Sequence, residues 1–214
     1  MKHIWWYLLL FCLPAVAQQN DEEAEIDYSA VVGNPYLIKD WSNGLVRFTS
    51  GRTMNQFKLK FDCLRNRLEL QFQGTVFGAE SQVKEFIMYT KSGRKKDSLL
   101  FRKGYPNVDK NTAGTYYEVL FEGKVELLRL HARDLIEEKE MVRTGKATMR
   151  MLEAQHYYLF RNGVLRNLPA DKNELPKAFP GKEEIITQFI NEQNLKLRDA
   201  GDFIRLAKKY NELL

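Results

Sequence analysis

A strict alternation of apolar and polar residues is the feature that most constrains how this chain can fold. The alternation runs over residues 57–61, stops at the polar residues 65–67, and resumes over residues 68–73. A period of two places one set of side chains on a buried face of a strand and the other set in water. Two such runs joined by a short polar link predict an antiparallel hairpin, in which outward lysine and glutamate side chains face each other across the strands.

Further short runs of the same kind, separated by turn signals, predict that this hairpin belongs to a larger sheet. The clearest turn is Asn162-Gly163, because both positions of a two-residue hairpin turn need a positive φ. We expect about eight short strands within residues 36–168, forming an antiparallel sheet that curls into a roll or partial barrel. The predicted runs lie at residues 45–49, 57–61, 68–73, 83–89, 99–101, 116–121, 125–130, 157–160 and 164–165.

After Pro169 the spacing of apolar residues becomes helical. One apolar face recurs over residues 181–193, and Asp199 is a good N-cap for a last helix. We therefore expect two or three helices within residues 169–214, packed on the sheet in an α+β fold, with a partner groove or a membrane as the alternative contact for the last helix. The apolar stripe of that helix is Phe203, Leu206, Ala207, Tyr210 and Leu213.

Residues 1–17 have the pattern of an export signal that is removed on secretion. Lys2 precedes an apolar run, Pro14 ends the run, and small residues follow where a signal peptidase inspects the chain. The run is too short to span a bilayer as a helix, so cleavage is favoured over a retained anchor. Because Cys12 lies at the end of the apolar run, a lipoprotein is the alternative, although Phe11 occupies the position where lipid attachment requires a small residue.

Residues 18–35 are acidic and end in a turn signal, which predicts a flexible leader, with the folded part starting at Tyr36. Removal of the signal leaves Cys63 as the only cysteine, so no internal disulfide is expected. Cys63 is in phase with the apolar side of its strand, which predicts a small buried hydrophobe. A reactive or intermolecular thiol, or a nucleophile with a histidine as base, is the alternative.

The chain has a formal net charge of +5, and its basic residues are interspersed with acidic ones. Nucleic acid is the usual partner of a basic chain, but the expected export argues against it. The densest cluster, Arg94-Lys95-Lys96, follows the turn signal Ser92-Gly93 and is predicted to be a solvated loop tip. Contact with an anionic lipid, a glycan or an acidic partner is the alternative. No later apolar run approaches bilayer length, so no integral span is expected after cleavage.

The residues that carry chemistry are few, and none stands in a known catalytic or metal-binding pattern. His131 and His156 remain after the signal, and neither has a second metal ligand at the usual spacing. Paired carboxylates occur in residues 137–145, a charged stretch predicted to be a loop, and at residues 183–184, in the first turn of a predicted helix. The sequence therefore predicts no catalytic residue, no cofactor and no metal.

Aromatic residues are the one class that points to binding. Trp41, Tyr116, Tyr157 and Tyr158 fall at predicted strand ends or loops, where aromatic faces beside polar groups bind sugars or peptides. These four residues are the candidate binding surface. The alternative is that they fill sheet edges, with Trp41 plugging one end of the sheet.

Several short stretches carry a likeness to other proteins. They are Gly33-Asn34-Pro35-Tyr36-Leu37, Trp41 with Gly44, residues 57–61 with 68–70, residues 83–86, residues 123–125, and residues 202–204 with 210–211. On these stretches the chain after residue 17 resembles a group of uncharacterised exported proteins common in Bacteroidetes-type bacteria. The resemblance implies a cell-envelope setting in a diderm bacterium, either periplasmic or associated with the outer membrane. It implies no activity and no functional residue.

Three hypotheses of function follow, and the structure can separate them. The first is a non-enzymatic envelope protein that binds a partner protein or a surface, and it predicts a filled sheet interior with an exposed apolar patch. The second is a binder of a small ligand or glycan in a tyrosine-lined sheet cavity. The third is an unrecognised hydrolase, which predicts a pocket holding His131 or His156 beside a carboxylate.

Overall fold

The computed structural model describes residues 31–78, 82–92, 95–139 and 147–214. The predicted export signal, including Cys12, and the predicted leader up to residue 30 lie outside the described residues. Arg94 of the predicted loop tip and residues 140–145 of the predicted loop lie outside them too. Lys95 and Lys96, predicted to belong to the same loop tip, are instead the first residues of the strand Lys95–Arg102.

The described residues form twelve strands, two α-helices and one short 3-10 helix, and the α+β class is confirmed. The strands are β1 (Val31–Val32), β2 (Ser42–Phe48), β3 (Thr53–Met54), β4 (Lys58–Asp62), β5 (Arg67–Phe72), β6 (Thr75–Gly78), β7 (Val83–Ser92), β8 (Lys95–Arg102), β9 (Tyr117–Glu122), β10 (Glu126–Lys139), β11 (Ala147–Arg161) and β12 (Val164–Leu168). The 3-10 helix spans Leu175–Ala178, and the α-helices are α1 (Glu183–Glu192) and α2 (Ala200–Glu212).

The strands form one sheet in the order β1-β11-β10-β9-β8-β7-β2-β4-β5-β6, with β12 also beside β11 and β3 also beside β2. Neighbouring strands in the described residues pair antiparallel, except that β1 runs parallel to β11. The sheet is therefore mixed, and the predicted antiparallel arrangement is right for every pair but one.

The hairpin predicted from the alternation is the β4–β5 pair. Leu59 lies opposite Leu70 on the buried face, while Lys60 lies opposite Glu69 on the outer face, as the pattern predicts. The Asn162-Gly163 turn joins β11 to β12, and both residues have a positive φ, 49° and 74°.

Several strands are longer than predicted, β11 among them, and two of the boundaries that differ have the same physical reason. β10 continues to Lys139, so the predicted loop at residues 137–145 is wrong at its start; the 14-residue strand is held by its register against β11. The predicted leader is wrong at its end, because β1 pairs with β11 through Val31 and Met149. In both places pairing with β11 outweighs weak local preference.

Buried side chains form cores on both faces of the sheet. On one face, α2 packs on β9 and β10, the 3-10 helix packs on β12, and α1 packs on α2 and on the 3-10 helix. The apolar stripe of α2 lies in the core on this face, as predicted. Nearer β2, the β4–β5 hairpin supplies a second cluster with β7 and β8. On the opposite face, the loop over residues 104–116 covers a third cluster that includes Tyr105, Tyr117 and Tyr158.

In the part of the chain that the structure describes, no helix combines the length and the apolar character that crossing a membrane requires.

Candidate functional site

The four residues predicted as a binding surface do not lie together. Tyr116, Tyr157 and Tyr158 have exposed fractions of only 1%, 6% and 3%. Tyr116 belongs to the cluster under the β4–β5 hairpin, and Tyr158 belongs to the cluster under the 104–116 loop. Tyr157 stacks on Phe203 of α2, with ring centroids 4.0 Å apart. All three tyrosines are core residues, and they present no aromatic face to a ligand.

Trp41 lies half-buried next to the start of β2. The Lys60 Nζ atom lies 5.5 Å from the centroid of its ring and 4.0 Å from the centroid of the Tyr36 ring. These cation–π contacts place Trp41 at the outer side of the β4–β5 hairpin, away from the three tyrosines.

His131 does meet a carboxylate, which is the arrangement that a hydrolase would require. Its Nε2 atom lies 2.6 Å from Oε2 of Glu118, and both residues are buried. Arg129 donates to the same Glu118 oxygen, from Nε at 2.8 Å and from Nη2 at 2.6 Å. Burial alone would raise the pKa of Glu118, but the hydrogen bond from His131 and the charge of Arg129 outweigh burial and lower it.

The geometry of this cluster is structural. A general base needs access to substrate and a pKa near neutrality, whereas Glu118 is buried, already accepts from two side chains and has a lowered pKa. His156, the other histidine, is exposed and lines a surface cleft of about 680 Å³ together with Glu153. Glu153 pairs instead with Arg133, at 3.1 Å.

Among the described residues, no group of three or more histidine, cysteine or acidic side chains is arranged to hold a metal ion. Cys63 is buried, as predicted. Burial raises the pKa of its thiol to about 12, with a smaller opposing effect from Arg133.

Another surface cleft, of about 760 Å³, lies between the β4–β5 turn and the loop over residues 103–116. Four cationic side chains line it, and none of its lining residues is acidic. We call it the basic groove. Its lining residues are Leu64, Arg65, Asn66, Arg67, Lys103, Lys110, Asn111, Thr112, Gly114, Thr115 and Tyr116.

The first wall of the basic groove is the turn between β4 and β5. The Asp62 Oδ1 atom accepts the backbone N–H groups of Leu64 at 2.8 Å and of Arg65 at 3.0 Å, which fixes the start of the turn. Asn66 has a φ of 52°, a left-handed conformation that asparagine tolerates better than most residues. The turn therefore places Arg65 and Arg67 on either side of Asn66.

The second wall is the loop that leads into β9, and Asn66 attaches it to the first. The Asn66 Oδ1 atom accepts the Tyr116 N–H at 2.7 Å, and its Nδ2 atom donates to the Tyr116 carbonyl at 3.0 Å. The Tyr116 hydroxyl donates to the Val83 carbonyl at 2.7 Å, which anchors the same residue in the core. The Lys103 Nζ atom lies 4.9 Å from the Tyr116 ring centroid, a cation–π contact.

Backbone N–H groups of the second wall are used inside the loop. Gly104 N–H donates to the Ala113 carbonyl at 2.9 Å, and Thr115 N–H donates to the Thr112 carbonyl at 3.0 Å. Thr112 N–H donates to Thr115 Oγ1 at 3.1 Å, and Gly114 N–H donates to Thr112 Oγ1 at 3.2 Å. Recognition in the basic groove therefore falls to side chains.

Comparison of the chain with protein-family models, with curated proteins and with solved structures gave no match. Function must therefore be argued from the site itself.

No sequence pattern predicts the basic groove. Residues 65–67 stood out only as the polar interruption of an alternating pattern. Lys103 and Lys110 are far from them along the chain, and only the tertiary fold brings the four cations to one cleft. The available signal was the pair of arginines flanking an asparagine in a predicted hairpin turn, a pattern too short to indicate binding alone.

Proposed function

We propose that this protein is a non-enzymatic binding module that holds an anionic group of a surface or partner in the basic groove. The observation that carries the proposal is the lining of the groove. Arg65 and Arg67 stand on one wall, Lys103 and Lys110 stand on the other, and no lining residue is acidic. A concave site lined by one sign of charge focuses the field and attracts the opposite charge.

Rigidity of the groove supports the same conclusion. The bonds between Asn66 and Tyr116 hold the two walls together, at 2.7 and 3.0 Å, so the spacing of the walls is set before a ligand arrives. Preorganisation lowers the entropic cost of binding. A solvated cluster of lysines on a mobile surface loop would lack this preorganisation.

The proposal includes export to the cell envelope and kinship with the exported proteins of Bacteroidetes-type bacteria. Its support is the export-signal pattern of residues 1–17 and the resemblance of the chain after residue 17.

The proposal also includes a curled form of the sheet. The support is the stretch from Val31 to Pro35, which contacts strands near both ends of the sheet. Val31 pairs with Met149 of β11, and the Pro35 carbonyl accepts the N–H of Cys63, just after β4.

The two other hypotheses have less support. Tyr116, Tyr157 and Tyr158 are core residues, which removes the aromatic lining that a sheet cavity for a glycan would need. Two observations among the described residues favour a hydrolase, the Glu118–His131 pair and the cleft that His156 shares with Glu153. Both carboxylates are already paired with arginines, Glu118 with Arg129 and Glu153 with Arg133.

The test is a titration with inorganic phosphate, followed by NMR of backbone amides in the wild type and in two double variants. We expect saturable shifts confined to the amides of the basic groove, and their loss in the Arg65→Gln/Lys110→Gln variant. The control is Lys172→Gln/Lys208→Gln, which removes the same charge from exposed positions outside the groove. Shifts scattered over the whole surface, or equal loss in both double variants, would contradict the proposal.

A further inference from the structure

We infer that the ligand of the basic groove is an acidic oligosaccharide, a short chain of sugars with several spaced carboxylate or sulfate groups. This inference rests on the proposed function and specifies the chemistry of its ligand.

The size of the basic groove points to a ligand larger than one oxyanion. Its volume of about 760 Å³ lies in the range of sites that enclose whole drug-sized molecules, roughly 300–1,000 Å³. A single sulfate or phosphate would leave most of this space to water. A ligand of two or three sugar rings matches the volume better.

The donors of the basic groove are suited to spaced anions. A compact site for one phosphate uses converging backbone N–H groups, as in a helix N-terminus or a backbone nest. Here the N–H groups of Thr112, Gly114 and Thr115 are bonded within the loop, and the Tyr116 N–H is bonded to Asn66. Positive charge therefore comes from side chains distributed over both walls.

Hydroxyl groups add a second kind of donor to the same cleft. The Oγ1 atoms of Thr112 and Thr115 each accept a loop N–H, and a hydroxyl that accepts keeps its own proton to donate. Both residues line the basic groove beside the cations. A sugar with anionic groups offers acceptors of both kinds, since its hydroxyl and ring oxygens lie between its charges.

Other polyanions fit the lining less well. Single-stranded nucleic acids bind through exposed aromatic faces on which bases stack, whereas the Tyr116 ring is buried and covered by Lys103. Binding to a lipid surface also uses apolar anchor points beside the basic residues. Among the described lining residues, Leu64 and Tyr116 are the only large apolar side chains.

The test uses calorimetric titration of the full chain with galacturonate, its dimer and its trimer, with neutral galactose oligomers of equal length and with inorganic phosphate. We expect the galacturonate trimer to bind about tenfold or more tightly than the monomer, because each added residue engages a further cation. The neutral trimer should not bind. A sulfated trimer of the same length distinguishes carboxylate from sulfate as the preferred anion.

Variants on each wall show whether the trimer spans the basic groove. Arg65→Gln and Lys110→Gln should each weaken trimer binding by about threefold, as expected for one exposed charge pair, while Lys208→Gln should have no effect. Thermal unfolding of each variant confirms that it is folded. If either groove variant binds the trimer as tightly as the wild type, the trimer does not span the groove and the inference is wrong.

The outcomes separate this inference from the proposed function. Equal affinity for phosphate and for the trimer would overturn the inference and leave an anion site. The inference would also be overturned, and the proposed function kept, if a single-stranded oligonucleotide or phosphatidylglycerol vesicles bound in the groove and no acidic sugar did. If no anion binds, both the inference and the proposed function are wrong.

Discussion

The side-chain amide of Asn66 hydrogen-bonds to both backbone polar groups of Tyr116, accepting the N–H at 2.7 Å and donating to the carbonyl at 3.0 Å. An adjacent strand would normally supply these two bonds, and here one side chain supplies them. The two residues are 50 positions apart, so the contact joins separate parts of the fold. It keeps the two walls of the basic groove at a fixed separation.

Removal of the Asn66 amide should destabilise the protein and loosen the groove. We expect Asn66→Ala to lower the free energy of unfolding by about 2 kcal/mol, because the backbone groups of Tyr116 lose their partners. Asn66→Gly is the matched control, since it also removes the amide but accepts the φ of 52° without strain. The glycine variant should be about 1 kcal/mol more stable than the alanine variant. Urea unfolding measures both, and an Asn66→Ala midpoint equal to that of the wild type would show that the bonds contribute nothing.

Glu118 should make the stability of the fold sensitive to acid. Because its pKa is lowered in the folded state, its contribution is complete above the ordinary carboxyl range and is lost as the pH falls through the lowered value. Glu118→Gln should cost about 3 kcal/mol at neutral pH, because it leaves Arg129 without its buried partner. The variant should also lose less stability in acid than the wild type.

The matched control for Glu118 is Glu174→Gln, which removes an exposed partner of Lys177. We expect it to change the free energy of unfolding by less than about 0.5 kcal/mol. Unfolding measured by circular dichroism between neutral and acidic pH gives both profiles. Parallel profiles for the wild type and Glu118→Gln would exclude Glu118 as the source of acid sensitivity.

Tyr117 and Tyr158 offer a paired test of buried hydroxyl groups. In the described part of the structure, the Tyr117 hydroxyl is buried without a hydrogen-bond partner, whereas the Tyr158 hydroxyl accepts from Nδ2 of Asn111 at 3.1 Å. Tyr117→Phe should therefore stabilise the protein by about 1 kcal/mol, and Tyr158→Phe should destabilise it by a similar amount. Thermal unfolding of the two variants checks the signs, and a loss of stability in Tyr117→Phe would reveal a partner such as an ordered water.

Cys63 should resist alkylation as long as the protein is folded. Burial raises the pKa of its thiol to about 12, so the reactive thiolate is scarce at pH 8 and the side chain is inaccessible. Iodoacetamide at pH 8 should label Cys63 only at the rate at which the chain unfolds, and fully in urea. Mass spectrometry follows the labelling, and rapid modification of the native protein would support the reactive thiol instead.

Local patterns predicted most of the fold. Alternation at Phe57, Leu59 and Phe61 identified β4 because one face of this strand is buried and the other is wet. Asp199 marked the start of α2, where its side chain accepts from Gly201 N–H at 2.8 Å. What the patterns did not predict is the continuation of β10 past Leu130 and the pairing of Val31, since both depend on β11 rather than on their own residues.

The candidate site was less predictable than the fold. Single residues such as Tyr157 stood out as aromatic, but burial depends on what packs over a residue, and Phe203 of α2 covers it. Arg65 and Lys110 belong to unrelated stretches, which the tertiary fold brings to one cleft where Asn66 binds Tyr116. A long-range contact of this kind leaves no periodicity in the sequence for analysis to detect.

The parallel pairing of β1 with β11 also has a kinetic consequence. Val31 must find Met149, so this contact closes a loop that contains most of the sheet. Closing long loops costs entropy and slows folding. We therefore expect the β4–β5 hairpin and the helices to form early, and the amino-terminal strand to dock last, after β11 is in place.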